Sequence, residues 1–379
     1  MENNLMYYKN LFDFSKIKLK NSNYCSYGYE NLFWLEIFLQ AFQFKSIESK
    51  RKFLFKLKSQ NALKKFYHKI GIQFHKKTLN QESIPAKSTF SEYKKALVHL
   101  KSTIELVHKV VQMKLEQSLS LNKFLHVAID GKDIRNTGTG LRHKDNLKSI
   151  HFYTKGLLLY DEFTTNENGW IKDNLNESLK KIKEYINAPM IFTGDCAYNN
   201  RKTQKYYDKH GLYYLLKFKS NFYQQDELLS FKKLVSQGEH LDKQGGKVTH
   251  QQWSLYQLKP NHRNITFYLE VNKTVSHKGQ DKVVIQKFLT NHPDQNIPFF
   301  DIKMNHWNVE TYHHLKDTKL NEDKYRKSKE NAKIYAMINN IIAFTYEDKK
   351  LEQSDIENLK IDLMFWILIK IYRTILIFY

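Results

Sequence analysis

The sequence predicts an α/β protein in which a mixed sheet with flanking helices carries a β-rich insertion and follows an α-helical N-terminal region. Three observations predict it. Up to about residue 120 the apolar periodicity is helical. From Phe124 the order becomes three strands, helix, strand, helix, strand. Between 222 and 298 that order gives way to short β-like segments joined by polar, Gly-bearing loops.

Taken in chain order, residues 1–120 read as a helical, DNA-binding region. Within it, "ESKRKFLFKLKSQNALKKFYHKI" interleaves Lys and Arg with Phe and Tyr, which suits a helix on DNA or a solvated helix face. Thr89 with Glu92 has capping-box spacing. Tyr93, Leu97, Leu100, Ile104, Val107 and Val111 then mark one face of a long helix packed into the core.

Residues 121–221 read as the first part of the core. "FLHVAID", "SIHFY" and "LLLYDEFTT" form an antiparallel meander, and "NESLKKIKEYI" a helix. "APMIFTGDCAY" is a strand ending on Asp195, "NRKTQKYYDKHG" a helix stopped by Gly211, and "LYYLLKFK" a strand. The insertion, 222–298, contributes "HQQWSLYQLK", "NITFYLEV" and "KVVIQKFLTN" as surface-lying strands. Helices in 299–379 complete the core. The closing "IDLMFWILIKIYRTILIFY" is interrupted by Lys370 and Arg373, so it reads as a core or interface helix and not a bilayer span.

Composition narrows the classes. Hydrophobic residues at 41% exclude a disordered chain. Sixty-one Lys and Arg against 39 Asp and Glu leave a charge of +22 spread along the chain, which suits a polyanionic partner. Cys25 and Cys196 cannot build a disulfide framework or a Cys-based zinc site, and the N-terminus has no apolar export segment. A cytoplasmic, nucleoid-associated location is expected.

Asp130 follows the apolar run Val127-Ala128-Ile129, and Asp195 follows "MIFTG". If those strands are parallel neighbours, both carboxylates meet at one sheet edge. His306, Glu310 and His314 fall at i, i+4 and i+8 of a later helix, and Glu310 supplies a third acidic group. Asp130, Asp195 and Glu310 would make a hard oxygen site for two Mg²⁺ or Mn²⁺ ions about 4 Å apart, suited to phosphoryl transfer. Each residue also has a plainer reading: a turn Asp, an Asx-type loop residue and a solvated helix carboxylate. Zinc is the weaker fit, because the cluster lacks H-E-x-x-H spacing. Lys132 and Arg135 are candidate phosphate contacts or solvated cations. His306 is a candidate contact to the scissile phosphate, and Trp307 reads as a core residue more than as a base-stacking one.

The motifs resemble those of DDE transposases of the ISAs-type, H-repeat-associated family. "AIDGKDIR" is similar to the family's Asp-Gly-Lys-x-x-Arg block, and "IPAKSTFSEYKKAL" to its Pro-x-x-Ser-Thr-Phe entry. In "MIFTGDCAYNNRKTQKYYDKHGLYYLLKFKSN" the matching positions are Asp195, Thr203, Gln204, Leu216, Lys219 and Asn221. "NHWNVETYHHLKDTKLNEDKYRKSKENA" matches the third block at His306, Trp307, Glu310, His314, Asp317, Glu322, Asp323, Arg326, Asn331 and Ala332. Together the blocks run from about Ile84 to Ala332.

The resemblance implies an RNase H-like core, a catalytic and metal-binding triad of Asp130, Asp195 and Glu310, and Mg²⁺ dependence. It implies cleavage and strand transfer at terminal inverted repeats. Lys219 and Arg326 join Lys132, Arg135 and His306 as expected DNA contacts, and a homodimer or higher oligomer on double-stranded DNA is the expected assembly. Four features depart from the family pattern: one residue fewer between Glu310 and Asp317, a longer loop after Asp195, no Lys-x-Asn-Glu around "TTNENGWIKDN", and Phe222 in place of Gln. A nuclease without strand transfer and a non-catalytic, transposase-derived DNA-binding protein stay open as alternatives.

Overall fold

The structure is a computed structural model that describes residues 27–41, 44, 46–72, 82–97, 124–135, 137, 146–154, 157–186, 188–217, 232–244, 247–261, 265–275, 281–293, 297–320, 322–323 and 328–347. The sequence expectations for 98–123, for Lys219 and Arg326, and for the apolar C-terminal segment lie outside them. Among the described residues no helix is long and apolar enough to cross a membrane.

Four helices come first: α1 (Tyr29–Ala41), α2 (Ile47–Ser59), α3 (Leu63–Lys69) and α4 (Lys87–Leu97). α1 is apolar on nearly every side, and Leu32 to Ala41 are all buried, as such a helix requires. α2 starts at Ser46, which exchanges capping-box bonds with Ser49. α4 starts earlier than its sequence signal. The Phe90 N–H already bonds the Ala86 carbonyl, so Thr89 lies inside the first turn and does not cap it.

The mixed sheet follows: β1 (Leu125–Ile134), β2 (Leu147–Thr154), β3 (Leu157–Thr164), then helices α5 (Glu167–Asp173) and α6 (Leu175–Tyr185). β4 (Met190–Gly194), α7 (Arg201–Lys209) and β5 (Tyr213–Lys217) come next. α5 and α7 are capped by Asn166 and Asn200, whose side chains accept from the N–H groups three residues on. β1 pairs antiparallel with β2 and parallel with β4, and β4 pairs parallel with β5. Val127, Ala128, Ile129 and all of β4 are buried on both faces, which explains their unbroken apolar runs.

The segment expected to lie on the surface is instead part of this sheet. β6 (Lys232–Gln244), β7 (Lys247–Asn261), β8 (Ile265–Val275) and β9 (Asp281–Thr290) form an antiparallel ribbon, and β9 pairs with β5. The full order is β3-β2-β1-β4-β5-β9-β8-β7-β6. Leu255, Tyr268 and Phe288 from the ribbon share a core with Ile191, Leu215 and Phe299, so burial ties the ribbon to the sheet.

Two helices close the described chain: α8 (Phe299–Thr318) and α9 (Lys329–Glu347). α8 lies across β1, β2 and β4, and α9 packs on β2, β3, α1 and α4. On α8 the buried stripe is Ile302, Asn305, Val309, Tyr312 and Lys316, in alternating steps of three and four. Asn305 donates from Nδ2 to the carbonyls of His126 (2.9 Å) and Tyr153 (3.2 Å), fixing α8 across two strands.

Candidate active site at the edge of β1 and β4

The parallel pairing of β1 with β4 ends at Ile129 opposite Gly194. The next residues are Asp130 and Asp195, so two carboxylates emerge side by side where the strands part. Asp130 does not end its strand: β1 runs on to Ile134, paired only with β2. The sequence signal marked the end of the parallel ladder, not of the strand. Backbone bonds hold each carboxylate: Asp130 Oδ1 accepts from the Gly131 N–H (2.9 Å) and Asp195 Oδ1 from the Ala197 N–H (2.7 Å).

α8 brings a second rank of groups one position along from its buried stripe. His306 Nε2 stands 4.0 Å from the half-exposed Glu310 carboxylate, and His313 Nδ1 stands 3.4 Å from Asp130 Oδ2. His314, expected to share a face with Glu310, is exposed. Steps of four drift round a helix, so the inward position falls to His313 at i+7 from His306. Trp307, expected in the core, is 61% exposed one turn before Glu310.

Electrostatics register how closely the acids face one another. Burial, joined by the negative charges of Asp195, Glu167 and Glu310, pushes the Asp130 carboxyl up to about 8, against the pull of the Gly131 N–H. Burial lowers the pKa of His306, while Glu310 and Asp195 draw it back up. The donor set is hard and anionic, and a divalent cation would relieve its mutual repulsion. Among the described residues no three His, Cys, Asp or Glu side chains stand together as a finished metal-holding set.

Glu167 was missed in the sequence. It opens α5, and its Oε1 accepts from the Tyr198 hydroxyl at 2.9 Å. A Cβ on Gly131 would lie 2.2 Å from that same oxygen, so the glycine leaves room for the Glu167 carboxylate in its present position. The Asn166 cap was the available signal, because the short stretch "NENGW" has no legible periodicity.

Behind Asp130 lies a buried polar network that sequence spacing could not reveal. His151 sits directly opposite Asp130 across β1 and β2. Its Nδ1 is 2.7 Å from His313 Nε2, and its Nε2 is 2.8 Å from Ser149 Oγ and 3.5 Å from Lys316 Nζ. Lys316 also donates to Asn340 (2.6 Å) and pairs with Glu322 (3.2 Å). Burial lowers both imidazoles, with the Lys316 charge adding, and brings His313 to about 3. Burial works to raise Glu322, but Lys316 and Lys132 outweigh it and hold that carboxyl below its usual range.

The expected DNA contacts divide. Lys132 is buried, and its ammonium meets Asp317 (2.7 Å), Glu322 (2.8 Å) and Asp323 (3.6 Å) of its own chain. Burial works against its charge, yet Glu322, Asp323 and Asp317 hold its pKa above the usual value. The side chain expected to meet phosphate therefore ties β1 to the end of α8. Arg135 is 70% exposed, with its Nε 3.7 Å from Asp323. No protein-family model matches this chain, and no curated protein does.

Proposed function

We propose that the chain is an insertion-sequence transposase that cuts and joins DNA by metal-dependent phosphoryl transfer. The observation that carries this reading is the juxtaposition of Asp130 and Asp195 at the parting of parallel strands, electrostatically coupled to Glu310 on the helix that crosses them. The strand order β3-β2-β1-β4-β5, with an antiparallel meander followed by parallel strands, supports an RNase H-like core. The charge of +22 supports a DNA partner, and assembly as a dimer or higher oligomer on that DNA is part of the proposal.

Asp130, Asp195 and Glu310 would hold Mg²⁺ or Mn²⁺, and such ions supply activation of a water or 3′-hydroxyl and stabilisation of the leaving oxygen. The protein's own part is positioning. The Gly131 N–H within β1 and the Ala197 N–H in the turn after β4 hold the two aspartates, and Glu310 stands half-exposed on the helix that crosses them. His306, whose Nε2 stands 4.0 Å from Glu310, can donate to a phosphate oxygen, and the exposed Arg135 offers a charge for a neighbouring phosphate.

The test incubates the full chain with a labelled duplex carrying the DNA that flanks its coding region, plus supercoiled target plasmid, in Mg²⁺, Mn²⁺ or EDTA. End cutting with label joined to the plasmid, dependent on metal, is the expected result. Cutting without joining would replace strand transfer with nuclease action, and binding with neither would leave a non-catalytic DNA-binding protein.

A further inference from the structure

We propose that Ser149, Lys316, His151 and His313 form a one-way hydrogen-bond chain that locks the tautomer of each histidine and aims an N–H at Asp130. The geometry is the chain's own, and its consequence for catalysis rests on the function proposed above.

The chain begins at a group that can only donate. The Lys316 ammonium has three N–H bonds and no lone pair, and it is buried beside Asn340 and Glu322. The atom it faces at 3.5 Å, His151 Nε2, must therefore present a lone pair. The Ser149 hydroxyl, 2.8 Å from the same nitrogen, can turn its hydrogen the same way. A neutral imidazole accepting at Nε2 carries its hydrogen on Nδ1. That hydrogen points along the 2.7 Å contact to His313 Nε2, which in turn becomes the acceptor. His313 is left with its hydrogen on Nδ1, facing Asp130 Oδ2 at 3.4 Å.

The other oxygen, Asp130 Oδ1, is held by the Gly131 N–H. One oxygen of the carboxyl is thus hydrogen-bonded by the backbone and the other has the His313 N–H aimed at it from 3.4 Å, which restricts its rotation. His313 and His151 are positioning residues in this scheme. Histidines that support metal-binding carboxylates in this way change metal affinity when lost, by about tenfold or more.

Imidazole ¹⁵N spectra of the full chain, labelled at histidine, read the tautomers directly. His151→Phe and His313→Asn identify the two signals by their loss. The expected result, read above about pH 8 where the metal-free Asp130 carboxyl is ionised, is a neutral Nδ1–H form for both histidines, the tautomer less favoured in water. His151→Phe removes the donor to His313 and should shift His313 toward Nε2–H. His151→Asn, which keeps a side-chain donor at that position and guards against a folding failure in the Phe variant, should leave His313 unchanged. An Nε2–H or charged His313 in the wild type would overturn the chain, as would a His313 signal indifferent to His151→Phe.

Mn²⁺ titration followed by electron paramagnetic resonance reads the consequence. His313→Asn keeps an N–H near the Nδ1 position and should bind close to wild type, whereas His313→Phe should bind about tenfold more weakly. Equal affinity in both variants would contradict the positioning role. A wild type that takes up no Mn²⁺ contradicts the proposed function instead, and the tautomers then decide the chain alone.

Discussion

Gly131 and Asp130 are adjacent, yet each makes its own demand on the site. A Cβ at Gly131 would displace the Glu167 carboxylate and break its bond to Tyr198. Gly131→Ala should cost only about 0.5–1.5 kcal/mol, the worth of the displaced Tyr198–Glu167 hydrogen bond, because the atoms in its way are the far end of a flexible side chain. Most of that cost should vanish in a Glu167→Ala background, measured by urea unfolding as a double-mutant cycle. Additive costs would mean that the two side chains do not compete. Asp130 predicts a pH effect. Without metal its carboxyl takes a proton at about 8 in the folded protein, against about 3.9 unfolded. Below both values each state holds the proton. As pH rises between them the unfolded chain releases it first, so stability is lost toward about pH 8. Melting temperature should therefore fall more steeply with pH in metal-free wild type than in Asp130→Asn, and Mg²⁺ should recover the difference. Parallel curves would contradict the burial of this carboxyl. In the sequence, Asp130 was visible as a carboxylate after an apolar run. Glu167 and His151 were not, because each reaches the site from another element through tertiary contacts that local spacing does not encode.

The element on which the site depends most is α8. Its sequence period was legible as a helix, but which of the adjacent His313 and His314 turns inward was not. The buried stripe through Asn305, Val309 and Tyr312 decides that, and it became visible only against β1 and β2. Asn305→Ala removes the donor that serves the His126 and Tyr153 carbonyls and should cost about 1–3 kcal/mol, read by chemical unfolding. A neutral outcome would mean that packing alone places the helix. At its far end α8 is held by buried charges. The elements that the sequence reading missed share a cause. β6 is polar and contains Gly238 beneath the ring of Trp253, so neither alternation nor composition marks it as a strand. It is held by its ladder to β7.

For the whole molecule, strand and helix order predicted an α/β sheet, and the parallel neighbours β1 and β4 were anticipated as a condition for the site. The continuation of that sheet through β9 to β6 was not anticipated, since pairing between β5 and β9 joins segments about 70 residues apart. The distributed charge of +22 makes a prediction at this scale. DNA affinity should fall by at least about tenfold between roughly 50 and 200 mM salt as counterions are released. A salt-independent affinity would remove the polyanion from the account. The central claim is that the carboxylates at the β1–β4 edge act with metal to cut DNA, and Asp195→Asn tests it most directly. This variant keeps the shape of the side chain and removes its charge. Cleavage of the flanking-DNA duplex should drop by at least about 10²-fold with DNA affinity kept. Cleavage retained within a few-fold of wild type would contradict the claim.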